Sequence, residues 1–280
     1  MSIEILQIDL FNIRWGYGNN NVLKSTLQMM KHILNVKSST PNCIVYDETS
    51  VQPQQIDSDT RMISFWSKLI QPVCNKISVI VYNIMLSRFM YNNSTNASDF
   101  KWFKHIKNIL VKCGMINVWE HHDFPNHVWL KKSINTKLSD LFINDWFSTL
   151  EISRKCCCYK LFKDKFGFED YLIKTPHNFL KYVIMFRTRN NKFPVETGSW
   201  NNVTAENRIC ELCTKGTIGD EFHYLLDCDF FAENRRKCLD RNLFTSPNVL
   251  KFKYVMNLSP CNVKYTKFCK FVKEIIVKFR

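Results

Sequence analysis

Residues 129–150 read WLKKSINTKLSDLFINDWFSTL. Ile134, Leu138, Leu141, the pair Asp145/Trp146 and Leu150 follow one another at helical intervals, which gathers the apolar groups on one side of a 3.6-residue turn. Several other segments share this period. Leu23, Leu27, Met30 and Leu34 mark a helix within 20–36, ending near Ser38-Ser39-Thr40-Pro41. Ile63, Trp66 and Ile70 mark one over Arg61–Ile70, and Ile80, Ile84 and Met85 one over Ile77–Tyr91. Phe103, Ile106, Leu110 and Cys113 define another, capped by Ser98 or Asp99 and stopped at Gly114. Phe179, Val183 and Phe186 predict a helix over Pro176–Arg187. Tyr265, Phe268, Val272, Ile275, Ile276 and Phe279 form the inward stripe of Lys264–Arg280, with Lys267, Lys270 and Lys278 opposite. Polar residues 47–60, with Pro53, read as a loop. Asn92–Ala97 reads as a linker, and 155–172 stays ambiguous. Seven glycines and eight prolines in 280 residues are too few for a turn-rich all-β chain. The expected fold class is mainly α: an irregular helical body over 1–200, a small zinc-stabilised module over 201–245, and a C-terminal amphipathic helix over 246–280 packed on the body.

Composition bounds the function. A net charge of +14 points to a polyanionic partner, nucleic acid ahead of an anionic membrane surface. Abundant Lys, Asn, Ile and Phe also arise from AT-rich coding sequence, so charge alone leaves binding open. The longest apolar run, Ile77–Leu86 (ISVIVYNIML), is far too short to span a bilayer. Met1–Phe11 lacks the basic start and apolar run of an export signal. An intracellular chain, nuclear or cytoplasmic, with its twelve cysteines as reduced thiols is therefore expected.

The segment that carries chemistry is Cys210-Glu-Leu-Cys213, then nine residues, His223, four residues and Cys228. Zinc takes four soft or borderline ligands in a tetrahedron, usually thiolates and imidazoles at about 2.0–2.3 Å. A two-residue gap lets one turn present both sulfurs of Cys210 and Cys213. The loop 214–219 (TKGTIG) carries two glycines and suits a chain that reverses. Asp220 can cap a short helix that delivers His223 from its first turn, with Cys228 following near its end. All four positions are filled, so one structural Zn2+ is expected. A redox Cys-x-x-Cys needs its cysteine at a helix N-terminus, which the glycine-containing loop after Cys213 does not supply.

Other candidates are weaker. Cys156, Cys157 and Cys158 are consecutive, so their side chains diverge, while Cys238, Cys261 and Cys269 fit core positions. His121, His122, Asp123 and His127 read as surface-loop residues. No phosphate-binding glycine loop, nucleophile elbow or paired carboxylate set for two magnesium ions is visible. Phe231-Ala232-Glu233-Asn234 departs from a polymerase metal motif at Asn234. The residues thus predict a non-enzymatic chain.

The run from Phe186 to Trp200 (FRTRNNKFPVETGSW), followed by Cys210–Cys228 with Gly219-Asp220-Glu221-Phe222-His223-Tyr224, resembles the C-terminal, post-polymerase region of jockey-like non-LTR retrotransposon reverse transcriptases. Lys37–Asn42 (KSSTPN) and Thr60–Trp66 (TRMISFW) resemble the same region. The resemblance implies a zinc-binding segment with Cys210, Cys213, His223 and Cys228 as ligands, in a region thought to hold template RNA or target DNA. It also implies a chain that starts beyond the fingers, palm and thumb and carries no endonuclease. Arg189 stands where the family often has Gly.

The preferred reading is zinc-stabilised, non-catalytic binding of RNA or DNA. Arg187, Arg189 and Lys192 would contact phosphates, and Trp200 would stack on unpaired bases. A zinc-stapled module for a protein partner and a truncated, non-functional element copy are the alternatives. No membrane role is expected.

Overall fold

The periodic stretches are helices in the computed structural model, which describes residues 20–70, 77–91 and 101–280, with side chains omitted at 20–24, 90 and 91. The N-terminal reading, the side chain of Leu23, the linker Asn92–Ala97 and the cap at Ser98 or Asp99 lie outside these residues. The long pattern at 129–150 forms His127–Ile152. Lys101–Lys112, His177–Arg187 and Val263–Lys278 lie where their apolar stripes place them. Among the described residues extended pairing is limited to one isolated antiparallel bridge, Ile209 to Ile218. The fold is mainly α.

The chain divides into two compact units, one built on Gln52–Asp145 and one on Thr26–Val51 with Trp146–Arg280. The boundary falls inside His127–Ile152, and each part of its stripe serves a different core. Ile134 and Leu138 are buried with Ile63, Trp66, Phe103, Ile106 and Leu110. Trp146 and Leu150 are buried with Ile44, Phe186, Phe193, Tyr224 and Phe271.

In the first unit Trp66 stacks on Trp119 with centroids 5.7 Å apart, and its indole N–H donates to the Tyr82 hydroxyl at 3.1 Å. Gly114, with φ +69°, takes the left-handed position that ends Lys101–Lys112. The Met115 amide then reaches Leu110 O and the Gly114 amide Val111 O, the paired bonds of a Schellman stop. Ile77–Tyr91 turns inward through Tyr82, Met85, Leu86 and Phe89, whereas Ile80 and Ile84, expected inside, are half exposed. That helix is apolar on every side, so its spacing could not select a face.

The sequence reading departs most from the structure at 47–60, which are not one loop: Asn42–Thr49 of the second unit and Gln54–Leu69 of the first are helices, and Pro41 and Pro53 precede them as N-caps. Proline is tolerated at a helix start, where the missing N–H has no partner to lose. The polar character that suggested a loop belongs partly to buried charge, because Asp47 and Glu48 are fully enclosed. Glu48 meets Arg187 Nε at 3.2 Å, and Arg187 Nη2 meets Glu169 at 2.8 Å. Lys163 pairs with Asp47 at 3.1 Å and with Glu169. Burial lifts the Asp47 carboxyl to about 6 despite Lys163, the Tyr159 hydroxyl and the Gly167 amide. Residues 155–172 supply this cluster through two 3₁₀ turns, Arg154–Cys156 and Tyr159–Leu161, and the short helix Tyr171–Lys174.

The division 1–200, 201–245 and 246–280 is not the one the contacts follow. Tyr224, on the metal-ligand segment, packs against Phe193, Phe231 and Phe279, with centroids 4.7–6.1 Å apart. The Cys-His segment therefore shares a core with Val263–Lys278 and with residues 43–45.

Candidate metal centre

The four expected ligands converge. Arg208 to Gly219 fold back on themselves, with the Cys210 amide donating to Thr217 O at 2.8 Å and the Gly219 amide to Arg208 O at 2.9 Å. The Leu212 amide points at the Cys210 sulfur, 3.3 Å away, which orients the turn carrying both thiols. Gly219 is required by a close approach: a Cβ there would lie 2.4 Å from the Tyr224 hydroxyl and 2.8 Å from Pro194 Cγ. Asp220 caps the next turn, its carboxylate accepting from the His223 amide at 2.8 Å. The helix then widens to a π-turn over His223–Asp227, and the Cys228 amide closes it on His223 O at 2.8 Å. That widened turn brings His223 and Cys228 to the same side.

Cys210, Cys213, His223 and Cys228 each offer one donor atom, and all four atoms lie within 4.8 Å of one another. Cys210 Sγ is 3.8 Å from Cys228 Sγ, and Cys213 Sγ is 3.4 Å from His223 Nε2. Cys210, His223 and Cys228 are buried and Cys213 is half-buried. The arrangement is a compact four-donor cluster fit for a metal ion.

Two neighbours prepare the donors. His223 Nδ1 lies 3.1 Å from Asp227 Oδ2 and 3.0 Å from Thr217 Oγ1. A proton held on Nδ1 by the carboxylate leaves the Nε2 lone pair facing Cys213, the tautomer that ligates. Burial lowers the His223 pKa and so favours the neutral ring. Burial also pushes the Cys228 thiol up, to about 12, and the neighbouring Cys210 and Cys213 push the same way. A thiolate there is costly unless a cation shares the site. Lys215 Nζ, 2.8 Å from Asp227 and 3.0 Å from Asp229, secures the carboxylate from the solvent side.

Arg235 completes the frame. Its buried guanidinium donates to Leu225 O at 2.8 Å, Tyr224 O at 3.2 Å and Cys228 O at 2.9 Å. These bonds hold the chain where the π-turn ends, and Cys228 O also accepts from the Phe231 amide at 3.2 Å, so Arg235 positions Cys228. Sequence reasoning missed both Asp227 and Arg235. The four-residue step from His223 to Asp227 is a helical-face signal that could have found the first; nothing in the spacing points to the second. Replacing Asp227 with Asn is expected to keep the fold but weaken metal affinity about 10–100-fold, read by competition with a chromogenic chelator. Unchanged affinity would remove Asp227 from the site.

The expected phosphate contacts fare differently. Arg187 is buried in its carboxylate pair and also donates to Met256 O at 2.8 Å, between the Phe162 and Tyr171 rings. It has no face for phosphate. The Arg189 guanidinium is also enclosed, held by Glu196 at 2.7 Å and by Arg154 O and Cys157 Sγ. Its backbone takes the left-handed conformation, φ +57°, at the position where the resemblance implies Gly. Lys192 and Trp200 are exposed. Among the remaining cysteines, Cys156 packs on Cys43 with sulfurs 3.5 Å apart, Cys157 is exposed and Cys158 buried, so the consecutive thiols do diverge. Cys269 is a core residue, Cys238 half-buried and Cys261 exposed rather than internal.

No helix among the described residues is long and apolar enough to cross a membrane. Comparison with protein-family models, curated proteins and solved structures gave no match to this chain.

Proposed function

We propose that the chain is a zinc-stabilised, non-catalytic nucleic-acid-binding protein related to the post-polymerase region of jockey-like retrotransposon reverse transcriptases. The observation that carries the metal part is the spacing of the four donors. Tetrahedral zinc with Zn–S about 2.3 Å and Zn–N about 2.0–2.1 Å requires S···S near about 3.8 Å and S···N near about 3.5 Å. Two of the pairs, at 3.8 and 3.4 Å, meet both values, and all four donors lie within 4.8 Å of one another. Thiolate-rich donor sets favour zinc over magnesium or calcium, which seek oxygen. Three sulfurs and one imidazole complete the tetrahedron and leave no position for a reacting water, so the ion serves the fold.

The nucleic-acid part is supported by the +14 charge and by exposed Lys192 and Trp200 beside the metal segment. The relation to retrotransposons rests on the sequence blocks quoted above. Metal analysis of the purified chain is expected to give one zinc per chain, and the zinc-loaded chain should bind a short RNA with affinity that falls as salt rises. Salt-independent binding, or none, would sink the nucleic-acid reading and leave the metal reading standing.

A further inference from the structure

Beside the metal segment lies a cavity of about 210 Å³ lined by Lys37, Arg154, Lys155, Asn190, Glu196 and Trp200, among others. Lys37, Arg154 and Lys155 form no ion pair among the described residues; the two lysines reach only the carbonyls of Asn191 at 3.5 Å and Ser39 at 3.4 Å. Glu196, the acid on the rim, is held by Arg189. Burial depresses the Lys37 pKa; Glu196 opposes that shift and Lys192 adds to it, while Lys155 adds to the effect of burial on Lys31. A bound anion favours the charged form of cations in such a setting.

One further feature asks for more than an anion. Trp200 is 55% exposed, with the Lys37 ammonium 4.5 Å from its ring centroid, so an aromatic surface and a cation sit side by side.

We infer that this cavity receives one unpaired nucleotide of a single-stranded nucleic acid, its phosphate on Lys37, Arg154 and Lys155 and its base against Trp200. The inference rests on the nucleic-acid reading above and narrows it, because a base paired in a duplex keeps its face stacked and cannot reach the indole.

The test measures binding of the zinc-loaded full chain to a short oligouridylate and to a short RNA duplex, by fluorescence anisotropy over a salt series. Trp200→Ala is expected to weaken oligouridylate binding roughly tenfold, within the range of one lost stacking contact, and to leave duplex binding unchanged. Trp200→Phe should restore most of the loss. Lys37→Ala with Lys155→Ala should lower the log–log salt slope for the single strand by up to about 0.7, the share of the one phosphate that these cations hold. Circular dichroism checks that the variants fold, as the exposed positions predict. Salt-dependent binding that survives both substitutions unchanged overturns the cavity assignment alone, as does equal loss on single strand and duplex from Trp200→Ala. Failure of the wild-type chain to bind either RNA removes the broader reading and this one together.

Discussion

Treating the chain with a chelator, or replacing Cys228 with Ser, is expected to melt residues 208–231 and lower the thermal midpoint of the unit that contains them. Cys228 is the sharpest probe because it is fully buried and lies 3.8 Å from Cys210. The segment has little regular structure of its own: one isolated bridge, a capped turn and a π-turn hold it. Structural zinc contributes on the order of 10 kcal/mol at neutral pH in zinc-finger peptides. Losing it should therefore outweigh the few backbone bonds that remain. The damage should spread, because Tyr224 anchors the segment to Phe193 and Phe279. Three thiols and an imidazole must be deprotonated to ligate, so binding releases protons and affinity falls as pH falls. Acidification should mimic the chelator, and Cys238→Ser, at a half-buried thiol outside the cluster, should not. Equal metal content and equal melting in Cys228→Ser and wild type would show that these donors hold no ion.

The sequence made the helices legible where the apolar stripe faced a single core. Phe103, Ile106 and Leu110 are the clear case, each buried at the expected spacing. It failed where charge went inside. Asp47 and Glu48 read as solvent-facing until the partners that neutralise them, Lys163 and Arg187, arrive from more than a hundred residues away. No local pattern announces such a pair, since its energy comes from tertiary neighbours. The metal cluster was legible for the opposite reason: its ligands fall within nineteen consecutive residues, and coordination chemistry restricts both donor type and spacing. Its framing was only half visible. Asp227 lies one helical turn from His223, whereas Arg235 returns from the following helix to backbone carbonyls that no sequence spacing points to. The basic cluster near Phe186–Trp200 shows the same limit. Arg187 and Arg189 turn inward to Glu48, Glu169 and Glu196, and the cations left at the surface beside Trp200 come from Lys37, Arg154 and Lys155.

Replacing Arg187 with Met is expected to destabilise the second unit by about 3–5 kcal/mol, the usual cost of removing one partner from a buried ion pair. Glu48 is fully enclosed and keeps no other cation within ion-pair distance among the described residues. The Met256 carbonyl loses its donor, and Phe162 and Tyr171 lose the guanidinium between them. Glu169 suffers less, because Lys163 still pairs with it. The large term is therefore the stranded Glu48 carboxylate, and it can be isolated. Adding Glu48→Gln to Arg187→Met removes that charge, so the double variant should be clearly more stable than the sum of the single variants predicts. Chemical denaturation of the four proteins in the cycle gives the coupling directly. If Arg187 instead served phosphate at the surface, Arg187→Met would unfold like wild type and lower the salt slope of RNA binding. The buried geometry requires the reverse: lost stability, with the salt slope of the folded fraction unchanged.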